Sequence, residues 1–415
     1  GRVLGHAMVS SDARAAQISR DWSREFGTRR LYEITGHTAH PMFTLFKLLW
    51  LREHQPDVWH AAWKFLCFED LLAYRLGLEP ALGFPLAGRT MLFDVRRHCW
   101  SADILTAAGL ASSKLAQAVP SGTILGKLSP ARTRQLRLAE GAVVVAGGHD
   151  QPCGALGAGV VEEGSAMYAS GTVECVCAAF RKPIFRQDLQ DANLCTYDYT
   201  LEGMYTTVAF SLTGGNLLKW FRDEWSSQEQ IQAAGSGEDV YELILRQLPD
   251  RPTDLLVLPY FTPSGTPYFD TQTRGAILGL RLASTRGQVL RALLEGVALE
   301  MRLNLDLLDR AGRGVQRLLA IGGGARNRNL LQLKADVLNR PITTIDVTEA
   351  GCLGVAMLAL AAVEKTTPAT LAKEWVRPTA VITPNPIYAD IYDASFERYQ
   401  RLYPVVKQFF QESPA

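Results

Sequence analysis

The stretch Ala142–Gly159, AVVVAGGHDQPCGALGAG, constrains the fold more than any other. Val143, Val144 and Val145 run through Ala146 into Gly147 and Gly148, and His149 and Asp150 follow at once. A β-branched run closed by glycines reads as a strand entering a loop, and the small residues from Cys153 to Gly159 can pack tightly as a helix. A strand that delivers Asp150 at its carboxyl end puts a carboxylate where α/β sheets bind ligands. A carboxylate there suits a general base that takes a proton from an alcohol. A loop aspartate equally suits a helix cap, and this stretch alone leaves both readings open.

A second glycine cluster has the same layout. Leu318–Ile321 reads as a strand, Gly322-Gly323-Gly324 as its loop, and Asn327 as the cap of a helix carrying Leu330, Leu331, Lys334 and Leu338. The strand Ile342–Val347 then runs into a small-residue helix start at Glu349–Gly354. Strand–glycine–helix order suits a nucleotide lying on backbone amides. It is not a Walker A motif, since no Gly-Lys-Ser/Thr follows, and the glycines are not spaced as GxGxxG. Gly164–Phe180 reads as two strands around Ser170-Gly171-Thr172, a turn that offers amides and a hydroxyl to a phosphate or is a plain hairpin. Ser211–Asn216 opens a helix through Trp220, again with glycines at its start.

Elsewhere the period is helical. Val3–Val9 reads as extended, and Asp12 is placed to cap a helix through Ala15, Ile18 and Trp22, or with Arg14 to face a polar pocket. Phe43, Phe46, Leu49 and Trp50 mark a buried helical face. Pro56 breaks that helix, and a second one is expected from Asp57 toward Leu76, with Trp50, Trp59 and Trp63 in the core. Thr285–Asp309 is a long helix, and two helices are expected after residue 366, with Tyr388–Phe410 amphipathic.

The chain has 415 residues, enough for two domains, and 43 basic against 42 acidic residues. That balance, with no basic stripe, argues against a nucleic-acid partner. No apolar run reaches membrane-spanning length, and no signal-peptide pattern opens the chain. Seven cysteines, none in a CxxC pair, suit free thiols and the cytoplasm. His98 and Cys99 are adjacent but have no partner pair, so no metal-ligand cluster is expected.

Together these segments resemble the FGGY carbohydrate kinases, the ATP-dependent sugar and polyol kinases of the actin-like, ribonuclease-H-like superfamily. Met42-x-Thr44-x-x-Lys47-Leu48-x-Trp50-Leu51-x-Glu53-His54 fits the first family signature. Gly275-x-Ile277-x-Gly279-Leu280, then Gln288-Val289-x-x-Ala292-Leu293-Leu294-Glu295, fits the second. Gly147–Asp150, Tyr168–Thr172, Pro267–Gly275 and Gly322–Asn327 resemble further family blocks.

The resemblance implies an α/β chain of two actin-like domains, mixed sheets flanked by helices, with a sugar-side domain over 1–160 and a nucleotide-side domain over 161–415. It implies Asp150 as the base, Asp12, Arg14 and Gln151 on the sugar, and Mg²⁺ carried by ATP rather than by a protein metal site. Gly171 and Thr172 match the phosphate turn, Gly215 a position near the nucleotide, and Gly323, Gly324 and Asn327 the adenosine segment. His149 is read as a packing or loop residue. The family's opening hairpin has no counterpart here, so the first domain is expected to lack its opening strands and the activity to be weakened or absent. Ser10 replaces the usual tryptophan before Asp12. The segment after His40-Pro41-Met42 and the Arg89–Asp94 block favour the xylulokinase and gluconokinase branches, hence a ketopentose such as xylulose, with a sugar acid or polyol as alternatives. A homodimer is compatible with the resemblance. The rival expectations are a non-catalytic nucleotide- or sugar-binding protein and an actin-like ATPase scaffold.

Overall fold

The computed structural model describes residues 1–411. A seven-stranded mixed sheet dominates the second part of the chain, in the spatial order Pro378–Ile382, Ile342–Ile345, Arg317–Ile321, Ser165–Ser170, Glu174–Phe180, Tyr205–Ser211, Tyr197–Asp198. Arg317–Ile321 pairs in parallel with Ser165–Ser170 and with Ile342–Ile345, and the other ladders are antiparallel. The hairpin 165–180 forms as expected around Ser170-Gly171-Thr172. Ala166, Tyr168, Val176 and Ala178 point to one face, where Met301, Leu305 and Leu308 of the helix Arg286–Arg310 and Leu331, Ala335 and Leu338 of the helix Arg328–Leu338 cover them. Met167, Cys175 and Cys177 point to the other face, against Ala155 and Leu156 of the helix Asp150–Gly157 and Met357, Leu358 and Ala361 of the helix Ala350–Glu364. The sheet is therefore a buried layer between two helical layers.

Residues 1–160 hold mostly helices over a separate core of Phe43, Leu45, Phe46, Leu49 and Trp59. Their strands pair only as two-stranded ribbons, among them Ile124–Lys127 with Val143–Val145. No described helix is long and apolar enough to cross a membrane.

Several local expectations give way. Val3–Val9 carries no regular secondary structure. Asp12 does not cap the first helix: Ala15 holds the cap position without a side-chain bond, and Asp12 Oδ1 accepts from the Arg14 amide instead. The helix expected over 57–76 is two, Pro56–Ala61 and Phe68–Arg75, because Phe65 N–H is drawn off to the Lys114 carbonyl at 2.8 Å. Trp63 lies in that break and is 56% exposed, so it is not core. The C-terminal segment adds an unexpected edge strand, Pro378–Ile382, which pairs with Ile342–Ile345, and its amphipathic run divides into Ala389–Tyr399 and Leu402–Gln411.

Candidate active site

The loop Gly147-Gly148-His149 is pinned before it reaches Asp150. Glu69 Oε1 accepts from Gly147 N–H at 2.9 Å and from Gly83 N–H at 3.2 Å. A side chain at Gly83 would meet the Gly147 carbonyl at 2.3 Å, so only glycine lets these two segments approach. Asp150 is not the last residue of a strand. The strand ends at Val145, and Asp150 opens the helix Asp150–Gly157, where its charge faces the positive end of the helix dipole. It is not the cap either, since the cap position is His149, with no side-chain capping bond.

The Asp150 side chain is 78% exposed, and both of its contacts fall on one oxygen. Oδ1 accepts from the Gln151 amide at 2.7 Å and meets His149 Nε2 at 3.1 Å. His149 Nδ1 lies 2.9 Å from Tyr197 Oη. Burial, then the nearby Arg89 charge, holds the His149 imidazole well below its ordinary range. Burial pushes the Tyr197 phenol up. Gln151 Oε1 accepts from the Cys175 thiol at 3.2 Å, which brings the helix start beside the turn end of the 165–180 hairpin.

Around Tyr197 the wall is aromatic and cationic. The Arg89 guanidinium lies 4.8 Å from the Phe43 ring centroid and 6.0 Å from that of Tyr197, and it makes no ion pair among the described residues. His37 and His40 stand nearby, both pushed down first by burial and then by Arg89, His40 to about 4. Lys47 also depresses His40 and donates to the carbonyls of Val9 and Asp12 at 2.8 and 3.1 Å. Asp12 and Arg14 form a two-point pair, Nε to Oδ1 at 2.9 Å and NH2 to Oδ2 at 2.9 Å, with the guanidinium 4.8 Å from the Trp50 ring centroid. A cavity of about 910 Å³ opens beside Arg14 and Lys47, but its lining includes none of Asp150, Gln151, Thr172 or Gly323.

The predicted nucleotide residues converge on the other side of the hairpin. Gly171 O accepts from Gly215 N–H at 2.9 Å and Thr172 O from Asn216 N–H at 3.1 Å, so the amides of this helix start hold the turn itself. Gly171 N–H turns back to the Val173 carbonyl at 3.2 Å, while the Thr172 side chain lies exposed. Gly322, at φ +89°, carries the chain over Ser170, and a side chain at Gly324 would meet Ser170 Oγ at 2.2 Å. Gly323 faces open space and begins the 3₁₀ turn Gly323–Arg326, whose first amides have no partner within the turn. Asn327 Oδ1 caps the following helix, accepting from Leu330 N–H at 2.9 Å. Beneath the turn, buried Lys334 is paired with Glu174 and donates to Ser170 Oγ at 2.6 Å. Its sequence signal was a lysine on an apolar helical face. Tyr197 and Glu69 carry no local signal, because each acts across a long sequence separation.

Among the described residues no group of three His, Cys, Asp or Glu side chains gathers to hold a metal ion. Residues 1–157 match the model of the N-terminal domain of the FGGY family of carbohydrate kinases, and residues 166–363 that of its C-terminal domain. A xylulose kinase of Bacillus subtilis (strain 168) is 27% identical over 412 residues, which cover 98% of this chain and 79% of the relative. An autoinducer-2 kinase of Enterobacter sp. (strain 638) is 29% identical over 96% of this chain and 76% of its own. The crystal structure of a xylulose kinase from Rhodospirillum rubrum superimposes with a TM-score of 0.85 at 25% identity, covering 97% of this chain and 80% of that one. With a pinned carboxylate beside a glycine-lined turn and both domain models matched in order, the chain belongs to the FGGY family of carbohydrate kinases.

Proposed function

We propose that this carbohydrate kinase phosphorylates a ketopentose such as D-xylulose, with Asp150 as the general base. The observation that carries the reading is the Asp150 carboxylate, held by Oδ1 and 78% exposed beside the hairpin turn. ATP, with Mg²⁺ on its phosphates, supplies the γ-phosphoryl group and leaves as ADP. Asp150 Oδ2 takes the hydroxyl proton as the sugar oxygen bonds to phosphorus and the bond to the β-phosphate oxygen breaks. Such a transfer needs positioning and charge neutralisation more than covalent help.

Gln151 and the Asp12–Arg14 pair serve the sugar. Gly171 and Thr172 serve the phosphates, Gly215 lies near the nucleotide, and Gly323, Gly324 and Asn327 line the adenosine. We divide the chain into a sugar-side domain, 1–160, and a nucleotide-side domain, 161–415. The free cysteines support a cytoplasmic setting. The named xylulose kinase relative supports the ketopentose. One observation favours a second substrate: the unpaired Arg89 suits the carboxylate of a sugar acid such as gluconate.

The test is ADP release over ketopentoses, polyols and sugar acids, with Asp150→Asn in parallel. Turnover with one substrate, lowered about 10²- to 10⁴-fold in Asp150→Asn, is the expected result. Lack of sugar-dependent turnover across the panel, or full activity in Asp150→Asn, overturns the reading.

A further inference from the structure

We infer that His149 is a positioning residue for Asp150, and that Tyr197 holds its ring in the orientation in which it acts. The inference rests on Asp150 being the base.

His149 begins the helix Asp150–Gly157, but its side chain caps nothing. Its ring stands between two groups, with Nδ1 2.9 Å from Tyr197 Oη and Nε2 3.1 Å from Asp150 Oδ1. The phenol comes from the far edge of the seven-stranded sheet, 48 residues on. It is fixed there from several sides. Thr196 N–H donates to the Gly36 carbonyl at 2.9 Å, the His37 ring centroid lies 5.1 Å from that of Tyr197, and a side chain at Gly88 would meet Tyr197 Cβ at 3.3 Å. Tyr197 is completely buried, so its hydroxyl cannot turn to bulk water.

The chemistry then follows from counting donors. A carboxylate only accepts, so the nitrogen facing Asp150 must carry hydrogen. The charged and titratable groups around the ring are Arg89, His37, Tyr197 and Asp150 itself; burial and Arg89 keep the imidazole neutral. A neutral imidazole has one N–H, so Nε2 donates to Asp150 and Nδ1 accepts from the Tyr197 hydroxyl. His149 in this state does not take the substrate proton. Together with the Gln151 amide it places two donors on Oδ1, which fixes the carboxylate plane and leaves Oδ2 for the sugar hydroxyl.

The test has a spectroscopic arm and a kinetic arm on the full chain. Imidazole ¹⁵N spectra should show His149 as the neutral, Nε2-protonated tautomer down to pH 5. Its Nε2–H resonance should move in Asp150→Ala, while Tyr197→Phe should keep the Nε2-protonated tautomer, because the carboxylate still requires a donor, and shift the Nδ1 resonance as its hydrogen bond is lost. In turnover, His149→Ala should lower kcat about 10- to 100-fold with the sugar KM within about twofold, as expected when a reacting group is misplaced. His149→Gln, whose amide nitrogen donates from a similar reach, should recover most of the loss. An Nδ1-protonated ring, a resonance indifferent to Asp150→Ala, or equal losses in the Ala and Gln variants overturns the inference. Failure of the unaltered protein to turn over any sugar counts against the kinase reading, while the spectra still decide the state of His149.

Discussion

Glu300 lies in the middle of the helix Arg286–Arg310 with no exposed surface, and no cation pairs with it among the described residues. Its oxygens accept from Tyr260 Oη at 2.8 Å and Tyr399 Oη at 2.6 Å, tying the helix to two distant segments. Burial pushes this carboxyl up from 4.5 to about 7, and the two phenol hydrogen bonds oppose the rise only in part. The folded chain therefore holds a proton that the unfolded chain releases above its own, lower value. The resulting stabilisation is fully present below about pH 4.5 and is lost as pH rises through about 7. Over pH 5 to 8 the loss from this one group is about 2–3 kcal/mol. Glu300→Gln keeps the shape and removes the titration. Urea unfolding at pH 5 and pH 8 should thus show the variant gaining about that much on the parent across the interval. A constant difference would mean that Glu300 is ionised at both pH values. Glu174, also buried, faces Lys334 instead, so the same residue type plays a different electrostatic part in each place.

The helices Asp150–Gly157 and Ala350–Glu364 show how an element can be specified by what it lacks. A side chain at Gly157 would lie 1.8 Å from the Ala350 carbonyl, and one at Gly354 would lie 1.9 Å from the Cys153 carbonyl. Backbone touches backbone, so neither helix can yield by turning a rotamer. Gly157→Ala and Gly354→Ala should each cost about 3 kcal/mol in chemical denaturation, at the upper end for overpacking. Gly351→Ala, with nothing within 4 Å of the added carbon, should be neutral or gain a few tenths through helix propensity. Equal effects at all three would show that the close approach is not rigid. The glycines themselves were plain in the sequence, as were the 165–180 hairpin, the long helix from Thr285 and the Asn327 cap, because each is a local pattern. The break between Ala61 and Phe68 was not, because the apolar period runs on through it. There Lys114 decides the path, donating to the carbonyls of Trp59 and Ala62, each at 2.8 Å. The edge strand Pro378–Ile382 depends likewise on a distant partner. At the candidate site, the glycines marked Asp150 as a candidate base with the helix-cap reading still open, whereas the Tyr197–His149 contact had no local signal, since it joins the far edge of the sheet to the loop.

At the scale of the whole molecule, the exposure of Asp150 conflicts with the role of base proposed for it. A base 78% exposed to solvent can activate water as readily as a sugar hydroxyl, and ATP would then be hydrolysed without product. A kinase with this geometry should close before it reacts. The two parts are already joined away from the turn. Tyr32 Oη donates to the Leu194 carbonyl at 2.8 Å, His98 pairs with Asp198 at 2.8 Å, and the glycine-packed helices hold backbone against backbone. Gly159 and Gly164, at φ +88° and +82°, flank the crossing between them, in a backbone region that other residues rarely adopt. We therefore expect rotation about residues 159–165, with the helix pair as pivot and the 322–327 segment approaching the Asp12–Arg14 side. Solution scattering should show a smaller radius of gyration with a non-hydrolysable ATP analogue and the accepted sugar together than with either alone, because only the pair bridges both walls. Superimposable profiles with and without both ligands would exclude closure. Asp150 would then have to be shielded by the substrate alone, and ATP hydrolysis without sugar should be correspondingly high in the same preparation.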